Sequence, residues 1–158
     1  MDSSESDAQA STAYAHIVVG VDGSVESVEA LRRAAELAVK FGSTVVAVCV
    51  WQYPVSYTGT SAAWKPDRDA QEAADEVADQ VFGRDWPEWF STDIRPGPPA
   101  QVLVAASQSS DLLVVGSRGR GGFTGLLLGS VSSQCAEHAA CPVLIVHGSA
   151  ASPDDRSG

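Results

Sequence analysis

A glycine-rich stretch, GSRGRGGFTGLLLGS at residues 116–130, has residue types that could do chemistry. It holds six glycines, two arginines and no acidic residue, although the whole chain carries 20 Asp and Glu against 10 Lys and Arg. Glycines let a ligand approach the backbone closely because they have no Cβ. Backbone N–H groups at a helix N-terminus favour anions. A loop of this composition before a helix therefore predicts a binding site for phosphate groups.

Side chains around these glycines add further donors for an anion. Arg118 and Arg120 contribute positive charge, and the hydroxyls of Ser130 and Ser132 stand at the start of the next predicted helix. The stretch is not a Walker A loop, because Gly129 precedes Ser130 with no lysine between them. It does carry the spacing Gly-x2-Gly-x9-Gly-Ser, formed by Gly116, Gly119, Gly129 and Ser130.

Five strands and four helices are predicted around this loop. Short β-branched runs predict strands buried on both faces, and apolar residues at helical spacing predict the helices. The predicted strands are 16–21, 44–51, 91–95, 111–115 and 142–146, and the predicted helices are 25–41, 67–82, 99–107 and 130–140. This alternation predicts an α/β fold with a single doubly wound, five-stranded parallel sheet. The fold is expected to be Rossmann-like.

Two segments are predicted to meet at the edge of this sheet. In doubly wound sheets, ligands bind beyond the carboxyl ends of the strands, where the strand order reverses. The turn Asp22-Gly23-Ser24 follows the first strand, and the glycine-rich stretch follows the fourth. Taken alone, the turn is equally consistent with a simple strand-to-helix connection capped by Ser24. Together, the two segments indicate a ligand site.

The chain resembles the ATP-binding branch of the universal stress protein family. That family's phosphate signature, Gly-x2-Gly-x9-Gly-Ser/Thr, matches here without a gap. Residues 17–24 (IVVGVDGS), 111–117 (DLLVVGS) and 141–146 (CPVLIV) look like the family's first, fourth and last strands. The resemblance covers about residues 15–147, flanked by segments 1–14 and 148–158 that are predicted to be disordered tails. One departure is Gly20, where several nucleotide-binding members carry proline.

The resemblance implies an adenine-nucleotide alpha-hydrolase-like fold and a role for each matching residue. Asp22 would lie near the adenosine, and the backbone of Val50 would meet the adenine edge. Ribose and phosphates would be lined by Val115, Gly116 and Gly119, and the phosphates held by Gly129, Ser130, Val131 and Ser132. Arg118 and Arg120 are added from their charge alone. Mg²⁺ would be carried on the phosphates, because the sequence shows no carboxylate cluster that would form a cage for it.

The sequence is compatible with four functions. The leading hypothesis is an ATP-binding regulatory homodimer in stress response, with the 142–146 strand as the dimer seam, since its apolar edge would otherwise be unpaired. The second is a slow ATPase or nucleotidyl-transfer enzyme, for which no catalytic base can be named. The third is a nucleotide-free dimeric scaffold, and the fourth is a cyclic AMP binder.

Composition restricts the partners and the compartment. The net charge of −10 and pI of about 4.5 argue against nucleic acid and anionic membranes as partners. The chain shows no signal-peptide pattern and no apolar run of about 20 residues, so a cytoplasmic protein is expected. Cys49, Cys135 and Cys141 have no metal-binding spacing and are expected to be reduced thiols. The four tryptophans within residues 51–89 could form a lid beside the adenine or pack the second helix against the sheet.

Overall fold

The chain alternates strands and helices in the order that the sequence predicts. The computed structural model describes residues 13–52, 65–119 and 128–148. The strands are β1 (His16–Val21), β2 (Thr44–Trp51), β3 (Phe90–Pro96), β4 (Leu112–Gly116) and β5 (Val143–Val146). The helices are α1 (Val25–Phe41), α2 (Pro66–Phe82), α3 (Pro99–Ser107) and α4 (Ser130–His138). Each predicted element is confirmed, with ends that shift by one or two residues; the predicted tails fall largely outside the described residues.

The five strands form one parallel sheet with the order β3-β2-β1-β4-β5. The chain builds outward from β1 to one edge and then returns to add β4 on the other side of β1. The strand order therefore reverses between β1 and β4, which confirms the doubly wound prediction. Val19 of β1 pairs with Val114 of β4, so the segments that follow these two strands begin side by side.

Helices cover both faces of the sheet and create two apolar cores. On one face, α1 and α2 pack on alternate residues of β1, Ile17, Val19 and Val21. On the other face, α3 and α4 pack on a second cluster that contains Val18, Val48, Leu103, Leu113, Val115 and Cys135. The central strands are thus buried on both sides, as their continuous apolar runs predict.

Local capping sets the ends of α1. The Ser24 hydroxyl accepts a hydrogen bond from the backbone N–H of Ser27 at 3.2 Å, as the sequence predicts for an N-cap. Gly42 ends the helix in the left-handed conformation, with a φ of 69°. Because the first turn of α1 directly follows Asp22, this cap also fixes the segment that leaves β1.

Two of the tryptophans pack where α2 meets the sheet edge. Trp89 contacts Phe82 edge to face, with ring centroids 5.6 Å apart, and Trp86 contacts Phe90 at 5.4 Å. The indole N–H of Trp86 also donates to Asp79 of α2 at 2.9 Å. Trp51 packs against the same core. These three residues follow the packing alternative, and Trp64 lies outside the described residues.

The thiol of Cys135 gives the folded protein a pH dependence. Burial raises its pKa from the ordinary 9.0 to about 11. The unfolded chain would release this proton near pH 9 while the folded chain keeps it, so stability should fall as the pH rises through about 9 to 11. Chemical denaturation from pH 8 to 11 should therefore show the stability advantage of wild type over Cys135→Ala shrinking with pH. An advantage that stays constant over this range would contradict the assignment.

Candidate functional site

A cleft of about 420 Å³ opens at the carboxyl ends of the central strands, between α3 and α4. This volume is in the range typical of small-molecule sites. The predicted site residues that line it are Asp22, Val50, Val115, Gly116, Arg118, Gly119, Gly129, Ser130, Val131 and Ser132. Arg120 lies outside the described residues. The two segments predicted to meet at the switch point therefore do so.

One side of the cleft is apolar and includes residues that the sequence reasoning missed. Val48 contributes from β2, and Pro99 and Leu103 contribute from α3. Leu103 lies directly over Gly20, where an added Cβ would be 2.7 Å from the leucine Cδ1. The missing side chain at Gly20 thus allows α3 to approach β1 closely. Such a wall suits a flat apolar group, such as a heterocyclic base.

Asp22 links the turn after β1 to the glycine-rich segment. Its Oδ1 accepts a hydrogen bond from the backbone N–H of Ser24 at 2.9 Å, which holds the carboxylate in a local turn. Its Oδ2 lies so close to Gly119 that an added Cβ there would be 2.5 Å from this oxygen. The carboxylate and the backbone at position 119 are therefore in direct proximity across the cleft.

The two ends of the glycine-rich segment are tied together at Ser117. The Ser117 carbonyl accepts hydrogen bonds from the Gly129 N–H at 2.6 Å and from the Ser132 hydroxyl at 2.8 Å. The Ser117 N–H donates to the carbonyl of Val146 in β5 at 2.8 Å. The Ser132 hydroxyl, which was predicted to donate to phosphate, lies within hydrogen-bond distance of two carbonyl groups, that of Ser117 at 2.8 Å and that of Gly129 at 3.1 Å.

The N-terminus of α4 supplies backbone donors at the polar side of the cleft. The cap residue Gly129 has no side chain that could accept a hydrogen bond from the first turn, and that turn contains no acidic residue. The first N–H groups of a helix have no acceptor within the helix, and they carry a partial positive charge. Ser130, Val131 and Ser132 all line the cleft. An anionic group placed there would meet these donors.

Arg118 brings a positive charge to the cleft and is paired with a carboxylate that the sequence analysis did not single out. Its Nε lies 3.6 Å from Oε2 of Glu26, in the first turn of α1. The Glu26 side chain is only 18% exposed. Its position two residues after the N-cap Ser24 was the available signal, since the residues after Asp22 had to lie at the same edge of the sheet.

The described residues contain neither a metal cluster nor a membrane span. Within residues 13–52, 65–119 and 128–148, no three His, Cys, Asp or Glu side chains come together in a group that could hold a metal ion. No helix in these ranges is long and apolar enough to cross a bilayer.

These features define a doubly wound α/β protein with a glycine-lined cleft at the switch point of its sheet. The model of the universal stress protein family matches residues 13–147, and the chain belongs to that family. This match confirms the resemblance to the universal stress protein family that the sequence indicated.

Individual relatives agree with this assignment. A universal stress protein of Mycolicibacterium smegmatis is 34% identical over 135 residues, which are 82% of this chain and 45% of that protein. Universal stress protein MJ0531 of Methanocaldococcus jannaschii is 32% identical, over 84% of this chain and 82% of its own. The chain spans about half the length of the mycobacterial relatives and most of the archaeal one. A solved universal stress protein in complex with cAMP is 28% identical, with a TM-score of 0.62, over 86% of this chain and 99% of its own.

Proposed function

We propose that this protein is an ATP-binding universal stress protein that acts as a nucleotide-responsive regulatory homodimer. The main support for this proposal is the hydrogen bond from the Gly129 N–H to the Ser117 carbonyl. It holds Gly119 beside the N-terminus of α4 at one side of the cleft. Backbone donors free of side-chain bulk, next to a helix N-terminus, are suited to phosphate groups. Gly116, Gly119, Gly129 and Ser130 of the Gly-x2-Gly-x9-Gly-Ser spacing all line this cleft, which supports the proposal.

The two sides of the cleft match the two halves of a nucleotide. The adenine would lie against Val48, Leu103 and Val115, with the backbone of Val50 at its edge. The phosphates would lie against Gly119, Arg118 and the first turn of α4. Asp22 lines the cleft beside Gly119, and we expect it to meet the ribose or the adenosine. Mg²⁺ would enter with the triphosphate and balance its charge.

Cyclic AMP is a second candidate ligand, favoured by one observation. The similar universal stress protein in complex with cAMP matches most of this chain at 28% identity. A cyclic nucleotide would use the same apolar wall but carries a single phosphate, so it would engage fewer donors at α4. The long glycine-rich segment, from 116 to 129, offers more backbone than one phosphate requires. We therefore place ATP first.

Turnover is not part of the proposal. Phosphoryl transfer requires a positioned base and a residue that neutralises charge. Among the described residues that line the cleft, the ionisable side chains are Asp22 and Arg118. Asp22 already accepts the Ser24 N–H, and Arg118 is paired with Glu26. Because both Asp22 and Arg118 already have partners, they suit binding and regulation better than rapid hydrolysis.

The proposed homodimer would form through β5. This strand lies at the edge of the sheet and pairs with β4 on one side. Val143, Leu144 and Ile145 remain only half-buried in the single chain. An exposed apolar edge strand invites pairing with another chain, and a second copy offers the same edge by two-fold symmetry. A dimer would also bring Val146, which bonds to Ser117, close to the interface.

Calorimetric titration tests the proposed ligand. We expect saturable binding of ATP that Mg²⁺ strengthens, with weaker binding of AMP and cyclic AMP. Gly129→Val should weaken binding strongly, because its branched methyls would extend beyond a Cβ that would itself be in van der Waals contact with the Arg118 Cα at 3.4 Å. Ser133→Val is the matched control, since it places the same side chain in the first turn of α4 at a position that does not line the cleft.

The outcomes separate the candidate functions. If cyclic AMP bound more tightly than ATP, cyclic AMP would become the proposed ligand. No binding of any adenine nucleotide to folded wild-type protein would favour the nucleotide-free scaffold. Circular dichroism of both variants shows whether a loss of binding reflects the cleft or the fold.

A further inference from the structure

Glu26 places a carboxylate directly behind the proposed phosphate side of the cleft. Arg118 lines the cleft and pairs with Glu26, which is not among the lining residues. The Glu26 side chain is largely buried at 18% exposure, whereas that of Arg118 is 43% exposed. An anion in the cleft would thus approach an arginine that already has a negative partner.

Close backbone contacts fix the position of Glu26. At Gly116, the last residue of β4, an added Cβ would be 2.6 Å from the Glu26 Cβ. At Gly148, which follows β5, it would be 3.2 Å from both Cγ and Cδ of the glutamate. Backbone therefore encloses the side chain of Glu26 near its base and near its carboxylate. If Arg118 turned toward the cleft, Glu26 could not readily follow it.

The ion pair is loose enough for a ligand to compete with it. The 3.6 Å between Arg118 Nε and Glu26 Oε2 exceeds the usual length of a charge-assisted hydrogen bond. A half-exposed ion pair of this kind contributes little free energy. Phosphate oxygens, in contrast, match the guanidinium fork in pairs and carry more charge. A polyphosphate could therefore draw Arg118 away from Glu26.

We propose that Glu26 competes with the bound nucleotide for Arg118 and thereby weakens binding, most strongly for ligands with several phosphates. This inference rests on the proposed function and adds a specificity-determining residue to the same site. Glu26 acts through the arginine, since it holds the guanidinium that the phosphates would otherwise bind. The affinity ratio of ATP to AMP is then set in part by a residue outside the cleft lining.

A double-mutant cycle with calorimetry tests the competition. Glu26→Gln should strengthen ATP binding about three- to fivefold, the upper part of the range expected for an exposed ion pair, and change AMP binding by less than about twofold. In an Arg118→Gln background, the same change should strengthen ATP binding by less than about twofold. Glu29→Gln is the control, because it removes a charge from the next turn of α1, where Glu29 pairs with Arg32 at 3.7 Å.

Each outcome assigns a cause. If wild-type protein binds no nucleotide, the proposed function itself is wrong. If wild type binds ATP but Glu26→Gln leaves the affinity unchanged or weakens it, the competition is wrong and the site stands. A gain that persists without Arg118, or that Glu29→Gln reproduces, would mean a general effect of charge and would also overturn the inference. Thermal unfolding of each variant checks that α1 is intact.

Discussion

Replacing Gly119 with valine is expected to weaken ATP binding at least about 100-fold, equivalent to roughly 2.7 kcal/mol, while the fold survives. A Cβ at this position would be 2.5 Å from Oδ2 of Asp22. The carboxylate cannot easily swing aside, because its Oδ1 holds the Ser24 N–H at 2.9 Å. The backbone at 119 would have to move instead, and with it the donors proposed to meet the phosphates.

Calorimetry measures the loss of ATP affinity in Gly119→Val. A second pair of variants tests whether the Asp22 carboxylate is the group that a side chain at position 119 would meet. Gly119→Ala should lower the free energy of unfolding in the wild-type background and much less in an Asp22→Ala background, because the nearby oxygen is then absent. Equal losses in the two backgrounds would show that Asp22 is not what position 119 must avoid. Normal ATP affinity in folded Gly119→Val would contradict the proposed phosphate site.

The fold and most of the cleft lining could be predicted because both depend on short-range pattern. The apolar runs of β1 and β4 are buried on both faces only in a covered parallel sheet, so their alternation with helices restricts the fold to few topologies. In that fold, residues that directly follow β1 and β4 must share one edge. Asp22, Gly116 and Gly119 were therefore placed correctly from position alone, although their roles toward a nucleotide remain predictions.

Other residues could not be predicted because they depend on how elements pack across the sheet. Periodicity shows that α3 has an apolar face, but it does not show that Leu103 fits over Gly20. The hydroxyl of Ser132 was offered to a ligand because its nearest acceptor, the carbonyl of Ser117, lies 15 residues away in sequence. Glu26 was not singled out in the sequence, because its contact with Arg118 depends on how the segments that follow β1 and β4 come together.

Glycines at the cleft are required for space rather than for backbone conformation. The described glycines with positive φ are Gly23, Gly42, Gly83 and Gly97. Gly116 and Gly20 are not among them, so other residues could adopt their backbone angles. At both positions an added Cβ would come within 3 Å of another atom. What differs is the kind of atom, and this difference makes a quantitative prediction possible.

Gly116→Ala is expected to lower the free energy of unfolding by about 3 kcal/mol, and Gly20→Ala by about 1 kcal/mol or less. At Gly116 the new methyl would be 2.6 Å from the Glu26 Cβ and 3.0 Å from its carbonyl carbon, so α1 itself must move. That helix has no slack, because Ala30 and Ala34 are fully buried against the sheet. At Gly20 the obstacle is the end of the Leu103 side chain, 2.7 Å away, which can change rotamer.

Urea denaturation of the two variants and wild type measures this contrast under one set of conditions. The leucine at 103 would turn into the cleft in Gly20→Ala, so that variant should retain most of its stability yet bind nucleotide more weakly. Gly116→Ala should unfold at a lower urea concentration than Gly20→Ala, because the contact between β4 and α1 supports the whole sheet. Similar stability losses in the two variants would contradict this prediction. They would mean that α1 moves away from β4 as easily as the Leu103 side chain changes rotamer.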